Sequence, residues 1–246
     1  MESSSTVILI AAIAPALILS YYIYRRDKYE REPVTQLIKG FMFGFVSVLF
    51  AGTIERMLIN IGLAPEKPQT IISCIYDAFV GVALVEEGVK LFFLWLLLRG
   101  NHYFDEMIDG VVYAAMVGLG FAAAENISYL IYNIESWQSV AVSRAIFAVP
   151  AHFMFAVAMG YYYSKQHFYR VSFNDKAKVL LVPILLHGTY DAILMIISIS
   201  HALAGVLFLF FCLFCYLMYK VTLRRIDNLL KDDEMKNKVK DITLYL

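Results

Sequence analysis

The chain has 246 residues, 60% of them hydrophobic and 17% charged, well below the roughly 25% charged residues of an average soluble domain. Its formal net charge is zero, which leaves no surplus of Lys and Arg to neutralise nucleic-acid phosphates. Composition thus excludes an ordinary soluble domain and a nucleic-acid binder, and it places the chain in a membrane.

About 20 apolar residues cross a hydrocarbon core of roughly 30 Å. Seven runs approach or exceed that length, at residues 7–24, 36–61, 71–98, 110–132, 140–164, 179–199 and 202–219. The expected fold class is an all-α polytopic transmembrane helix bundle of about seven spans, a single integral membrane domain over 1–246 with no soluble module. The first run is read as a retained span and not a signal peptide, because the residues before it carry Glu2 and no basic group. Lys and Arg mark the cytoplasmic loops. The first loop holds Arg25, Arg26, Lys28 and Arg31, the fifth holds Lys165, Arg170, Lys176 and Lys178, and the C-terminal segment begins with Lys220, Arg224 and Arg225. The second loop has only Lys67, and the turns near 133–139 and 200–201 have no basic residue. These counts predict an N-terminus outside and a C-terminus in the cytoplasm. In the segment 222–246, Leu223, Ile226, Leu229 and Leu230 recur at helical spacing among charges, as in a helix on the cytoplasmic interface. Cys74, Cys212 and Cys215 all fall in apolar runs and read as inert buried thiols. Asn126-Ile127-Ser128 matches a glycosylation acceptor only by accident, since it lies inside a span.

Four spans carry groups that lipid does not tolerate: Glu86, Glu87 and Lys90, then Glu125, then His152, then His187 and Asp191. At about 2.5–3.5 kcal/mol per charge at the bilayer centre, the five charged residues would cost on the order of 12–17 kcal/mol unpaired. Glu86 and Lys90 are four apart and share a helix face. Glu87 is rotated by about 100° and is expected to lack a partner in its own helix. Glu125 follows Gly118, Gly120 and Ala122 to Ala124, small residues that let a neighbouring helix come close. His187 and Asp191 are again four apart, so the carboxylate can fix the imidazole. Pro150 precedes His152 by two residues and marks a local break that can open backbone toward a cavity. His102, His167 and His201 fall in loops or at span ends and receive no role. At 1.5 Å per residue, Glu86 and Glu125 each lie about 22 Å from the start of their spans. Because helical side chains lean toward the helix N-terminus, those of the antiparallel spans converge on one level.

The set Glu86-Glu87-x-x-Lys90, Phe121-x-x-x-Glu125-Asn126 and His187-x-x-x-Asp191, one motif per span, resembles that of the PrsW family of intramembrane proteases. The most specific part runs from Asp109 to Asn126, and the likeness covers 77–193. The wider group of type II CAAX prenyl proteases and bacteriocin-processing proteins has a histidine where this chain has Glu125.

The resemblance implies an intramembrane endopeptidase of the cell membrane, multi-pass and bacterial or archaeal. Its implied partners are the lipid bilayer and a single-span membrane protein or membrane-proximal peptide, an anti-sigma factor in a stress-signalling cascade among them. Peptide hydrolysis needs an activated water, a proton donor and oxyanion donors. The candidate catalytic residues are Glu86, Glu87, Glu125, His152, His187 and Asp191, with Glu86 or Glu87 as the base. The cofactor is none or zinc; a zinc ion would take Glu87, Glu125, His152 and His187. Replacement of the wider group's histidine by Glu125 favours the metal-free version. Two alternatives share these residues: a proton-coupled transporter, which would show internal symmetry between its halves, and a non-catalytic scaffold of the same superfamily, like a subunit of the gamma-secretase complex.

Overall fold

The computed structural model describes residues 2–27, 30–170 and 172–244, with side chains over 5–27, 30–170 and 172–235. Lys28 and the last eleven side chains of the C-terminal segment lie outside the described residues. In chain order the helices are α1 (Glu2–Arg26), α2 (Val34–Asn60), α3 (Ile71–Tyr76), α4 (Leu84–Leu98), α5 (Met107–Tyr132), α6 (Trp137–Ser143), α7 (Val149–Phe168), α8 (Phe173–Ile199) and α9 (His201–Leu244). A π-helical stretch (Asp77–Ala83) joins α3 to α4, a 3₁₀ turn (Ile134–Ser136) leads into α6, and a second π-helical stretch (Arg144–Ala148) joins α6 to α7.

Six helical segments are individually long and apolar enough to cross a membrane: Ser5–Arg26, Val34–Asn60, Met107–Tyr132, Ile134–Phe168, Phe173–Ile199 and His201–Met235. The remaining predicted span is the continuous run of α3, its π-helical stretch and α4, 28 residues in all, which at 1.5 Å per residue reaches about 42 Å. No strand occurs among the described residues. The all-helical, multi-spanning bundle is therefore the one expected.

Helix α5 is the shaft of the bundle, with nearly every side chain buried, and it packs mainly on α1, α2 and α7. Its small residues make this possible. A Cβ on Gly120 would stand 1.9 Å from the carbonyl oxygen of Phe41 in α2, and one on Gly160 of α7 would stand 2.3 Å from that of Gly110 in α5. Backbone meets backbone at both contacts, the close approach that small residues provide in lipid, where apolar burial drives no helix association. Helix α1 is held to the shaft by the Asn126 side-chain amide, which donates to the Ala12 carbonyl at 3.0 Å.

The end of the bundle that carries the basic loops is tied together. Arg26 pairs with Asp227, the Tyr113 hydroxyl donates to Glu32, Phe104 packs on His167 and Phe168, and Arg225 donates to the Tyr162 hydroxyl at 3.3 Å. Helix α9 continues unbroken past the predicted span, and Ile226 and Leu229 are buried in the main core.

Candidate active site

Each of the two π-helical stretches leads into an element of the site. The first ends three residues before Glu86, and the second ends four residues before His152, with Pro150 at the start of α7. A π-helical turn widens the backbone by one residue and recurs at functional positions. The local break expected near Pro150 is this stretch.

Lys90 sits at the centre. Its Nζ lies 3.0 Å from Glu86 Oε2, 2.8 Å from Glu87 Oε1 and 3.2 Å from His152 Nδ1, and 3.9 Å from the centre of the Phe121 ring. An ammonium has three N–H donors, so all three are engaged. Here the structure corrects the sequence reading: Glu87 does have a partner in its own helix, because the long Lys90 stem reaches both the i−4 and the i−3 carboxylate.

From Lys90 the contacts run outward in two directions. His152 Nδ1 faces an ammonium that can only donate, so it accepts, and the ring proton of this neutral form sits on Nε2. Nε2 lies 2.8 Å from Glu125 Oε2 and donates to it. The same oxygen accepts from Arg144 Nη2 at 2.6 Å, while Arg144 Nε donates to Asn126 Oδ1 at 2.6 Å. The guanidinium also lies over the Tyr129 ring at 4.0 Å. On the other side, His187 Nδ1 is 2.9 Å from Glu87 Oε1, and its Nε2 is 3.1 Å from Asp191 Oδ2 and 3.9 Å from Glu86 Oε2. Its ring stacks on Phe155 with centres 4.8 Å apart. All six candidate residues of the sequence analysis thus fall into one connected network, from Asp191 through His187, Glu87, Lys90 and His152 to Glu125, and Glu86 joins it at Lys90.

The network borders a cavity of about 600 Å³ whose walls include Glu55, Glu86, Phe121, Glu125, Arg144, His152, His187, Tyr190 and Asp191. Glu86 faces the cavity, whereas Glu87 is fully buried behind it, with its Oε2 unpartnered. The walls come from the halves of α2, α5, α8 and α9 that lie away from the basic loops. Sequence reasoning missed Arg144 and Glu55, and it placed Asn126 in the motif without giving it a role. The signal was present: Arg144 and Glu55 are charges inside predicted spans, the same criterion that singled out Glu86.

One ligand atom each from Glu86, Glu87 and His152 lies within 4.8 Å of the others. The expected quartet of Glu87, Glu125, His152 and His187 does not share such a centre. Glu125 binds the far nitrogen of the His152 ring, and His187 has both ring nitrogens directed at carboxylates. The three clustered donors suit a divalent cation in kind. Their common centre, however, is held by the Lys90 ammonium, which engages the same three groups. As arranged, the site does not fit a metal ion.

A helical membrane bundle that walls a cavity with glutamates and histidines, backed by a buried ammonium, has the makings of an intramembrane hydrolytic enzyme. Comparison with known proteins agrees. The family model described as PrsW family intramembrane metalloprotease matches residues 32–218. The chain is 40% identical over 191 residues to Protease PrsW of Clostridioides difficile, covering 75% of this chain and 78% of that protein. It is 37% identical over 198 residues to Protease PrsW of Bacillus subtilis, covering 78% of this chain and 84% of that one. No solved structure matches. The chain belongs to the PrsW family of intramembrane proteases. It is a protease and a multi-pass protein of the cell membrane.

Proposed function

We propose that the protein hydrolyses a peptide bond of a single-span membrane protein with a water molecule activated by Glu86, and that an anti-sigma factor is its substrate. The observation that carries this reading is the division of labour between the paired glutamates. Glu86 borders the cavity and uses only Oε2 on Lys90, so its other oxygen can take a proton from water. Glu87 is sealed behind, holding Lys90 and His187 in place. Once protonated, Glu86 can return the proton to the leaving amine. Arg144, held by Glu125 and Asn126, is the N–H donor that borders the cavity for the developing oxyanion, while His187, with both ring nitrogens on carboxylates, is held fixed in the wall. The same arrangement argues against the transporter reading, because the ionisable groups are locked to one another in a single cluster.

The metal question turns on Lys90. An ion held by Glu86, Glu87 and His152 would supply Lewis-acid activation of water, but it and the Lys90 ammonium exclude each other. The reading is therefore metal-free, with lysine as the resident cation. The test is cleavage of single-span substrates by purified Glu86→Gln protein beside the wild type. Gln keeps the shape and loses the base, so a loss of about 10²–10⁴-fold in rate is expected for a general base, with insertion and melting unchanged. Undiminished cleavage by Glu86→Gln contradicts the assignment.

A further inference from the structure

The cavity holds one charged side chain that the network leaves unused. Glu55 of α2 is part of its wall, its Oε1 is buried without a partner, and no cation of the site turns to it. Lys90 is taken by Glu86, Glu87 and His152, and Arg144 by Glu125 and Asn126. The adjacent Arg56 points about 100° around the helix and is exposed. An ionisable group inside a membrane span that has no internal partner marks a place where something else supplies one. The walls of this cavity are acidic on balance, with Glu55, Glu86, Glu125 and Asp191 set against Arg144 and the His187 ring, whose two nitrogens both face carboxylates. The missing partner is therefore a cation.

Resting on the hydrolytic reading above, we propose that Glu55 is a specificity residue that binds a Lys or Arg side chain of the substrate close to the bond to be cut. Its place in the helix fits this role. Glu55 lies five residues before the end of α2 at Asn60, about 8 Å along the axis, on the side away from the basic loops. A substrate chain entering the cavity from that face passes Glu55 before it reaches Glu86. A juxtamembrane basic residue then pairs with the carboxylate while the adjoining backbone sits at the reacting centre. A substrate with an acidic residue at that position meets like charge and is rejected.

The test uses synthetic single-span polypeptides whose juxtamembrane segment of Ala and Gln carries one Lys, Gln or Glu at each position in turn. Cleavage by the full-length protein in liposomes gives kcat/KM for each. At one position the wild type is expected to favour Lys over Gln by about tenfold or more, the discrimination typical of a charged hydrogen bond. Glu55→Gln should bring that ratio to near unity, Glu55→Asp should keep part of it, and Glu55→Lys should transfer the preference to Glu at the same position. A Lys-to-Gln ratio equal in wild type and Glu55→Gln overturns the proposal, as does an equal loss on all three probes, which marks a structural role. Cleavage by the wild type that persists in Glu86→Gln defeats the hydrolytic reading instead, so the two failures are distinguishable.

Discussion

Replacing Lys90 with Met removes the cation from the centre of the network while retaining an unbranched stem of similar volume. Glu86 and Glu87, both buried, then face each other and His152 with nothing in the positions that the ammonium now holds at 3.0, 2.8 and 3.2 Å. Removing one partner of a buried ion pair costs about 3–5 kcal/mol. Loss of the cation–π contact with Phe121, 3.9 Å from the ring centre, adds about 0.5–2 kcal/mol. Lys90→Met should thus lose about 3.5–7 kcal/mol of stability, and the double variant Lys90→Met/Glu87→Gln, which removes one stranded charge, should recover at least about 2 kcal/mol of it. Reversible unfolding in mixed micelles, followed by circular dichroism, measures both. A loss below about 1 kcal/mol, the size of an ordinary substitution, would refute the idea that this ammonium holds the site together.

At the basic end, burial pushes the Asp27 carboxyl up to about 6 and raises Glu32 as well. A carboxyl whose folded pKa exceeds its unfolded value binds its proton more tightly when folded. Stability is therefore full below the unfolded pKa near 4 and falls as pH rises toward 6. Melting of the wild type should drop across that interval, and Asp27→Asn should flatten the dependence; an unchanged slope contradicts it. In intact cells, cysteines placed near Lys67 and Gln138 should label with an impermeant thiol reagent, while those near Lys176 and in the C-terminal segment should not. Labelling of the C-terminal segment from outside would reject the assigned orientation.

Much of the bundle was legible because lipid imposes a length and a hydropathy on each span, and because charges inside spans are costly enough to stand out. The span containing Glu86 was visible as one apolar run although its backbone changes from α to π and back, a change without a compositional mark. The convergence of Glu86, Glu125, His152 and His187 followed from antiparallel spans and the lean of helical side chains. Partner choice did not follow. Heptad-like spacing gives Lys90 to Glu86, but only three-dimensional packing shows its stem reaching Glu87 and His152 together. Arg144 and Glu55 escaped because each stands near the end of a span, where a charge reads as an interfacial residue. Asn126 stood in the motif, but its role, holding α1 by one end of its amide and Arg144 by the other, escaped because it depends on helices remote in sequence.

The central claim is that a glutamate activates water with lysine as the resident cation. It is tested most directly by cleavage of a single-span probe by purified protein stripped with a strong chelator, with zinc counted by elemental analysis. The account predicts an undiminished rate at far below one zinc per chain, and loss of that rate in Glu86→Gln. Activity that disappears with the metal and returns with stoichiometric zinc, while His152→Ala fails to retain the ion, would contradict it.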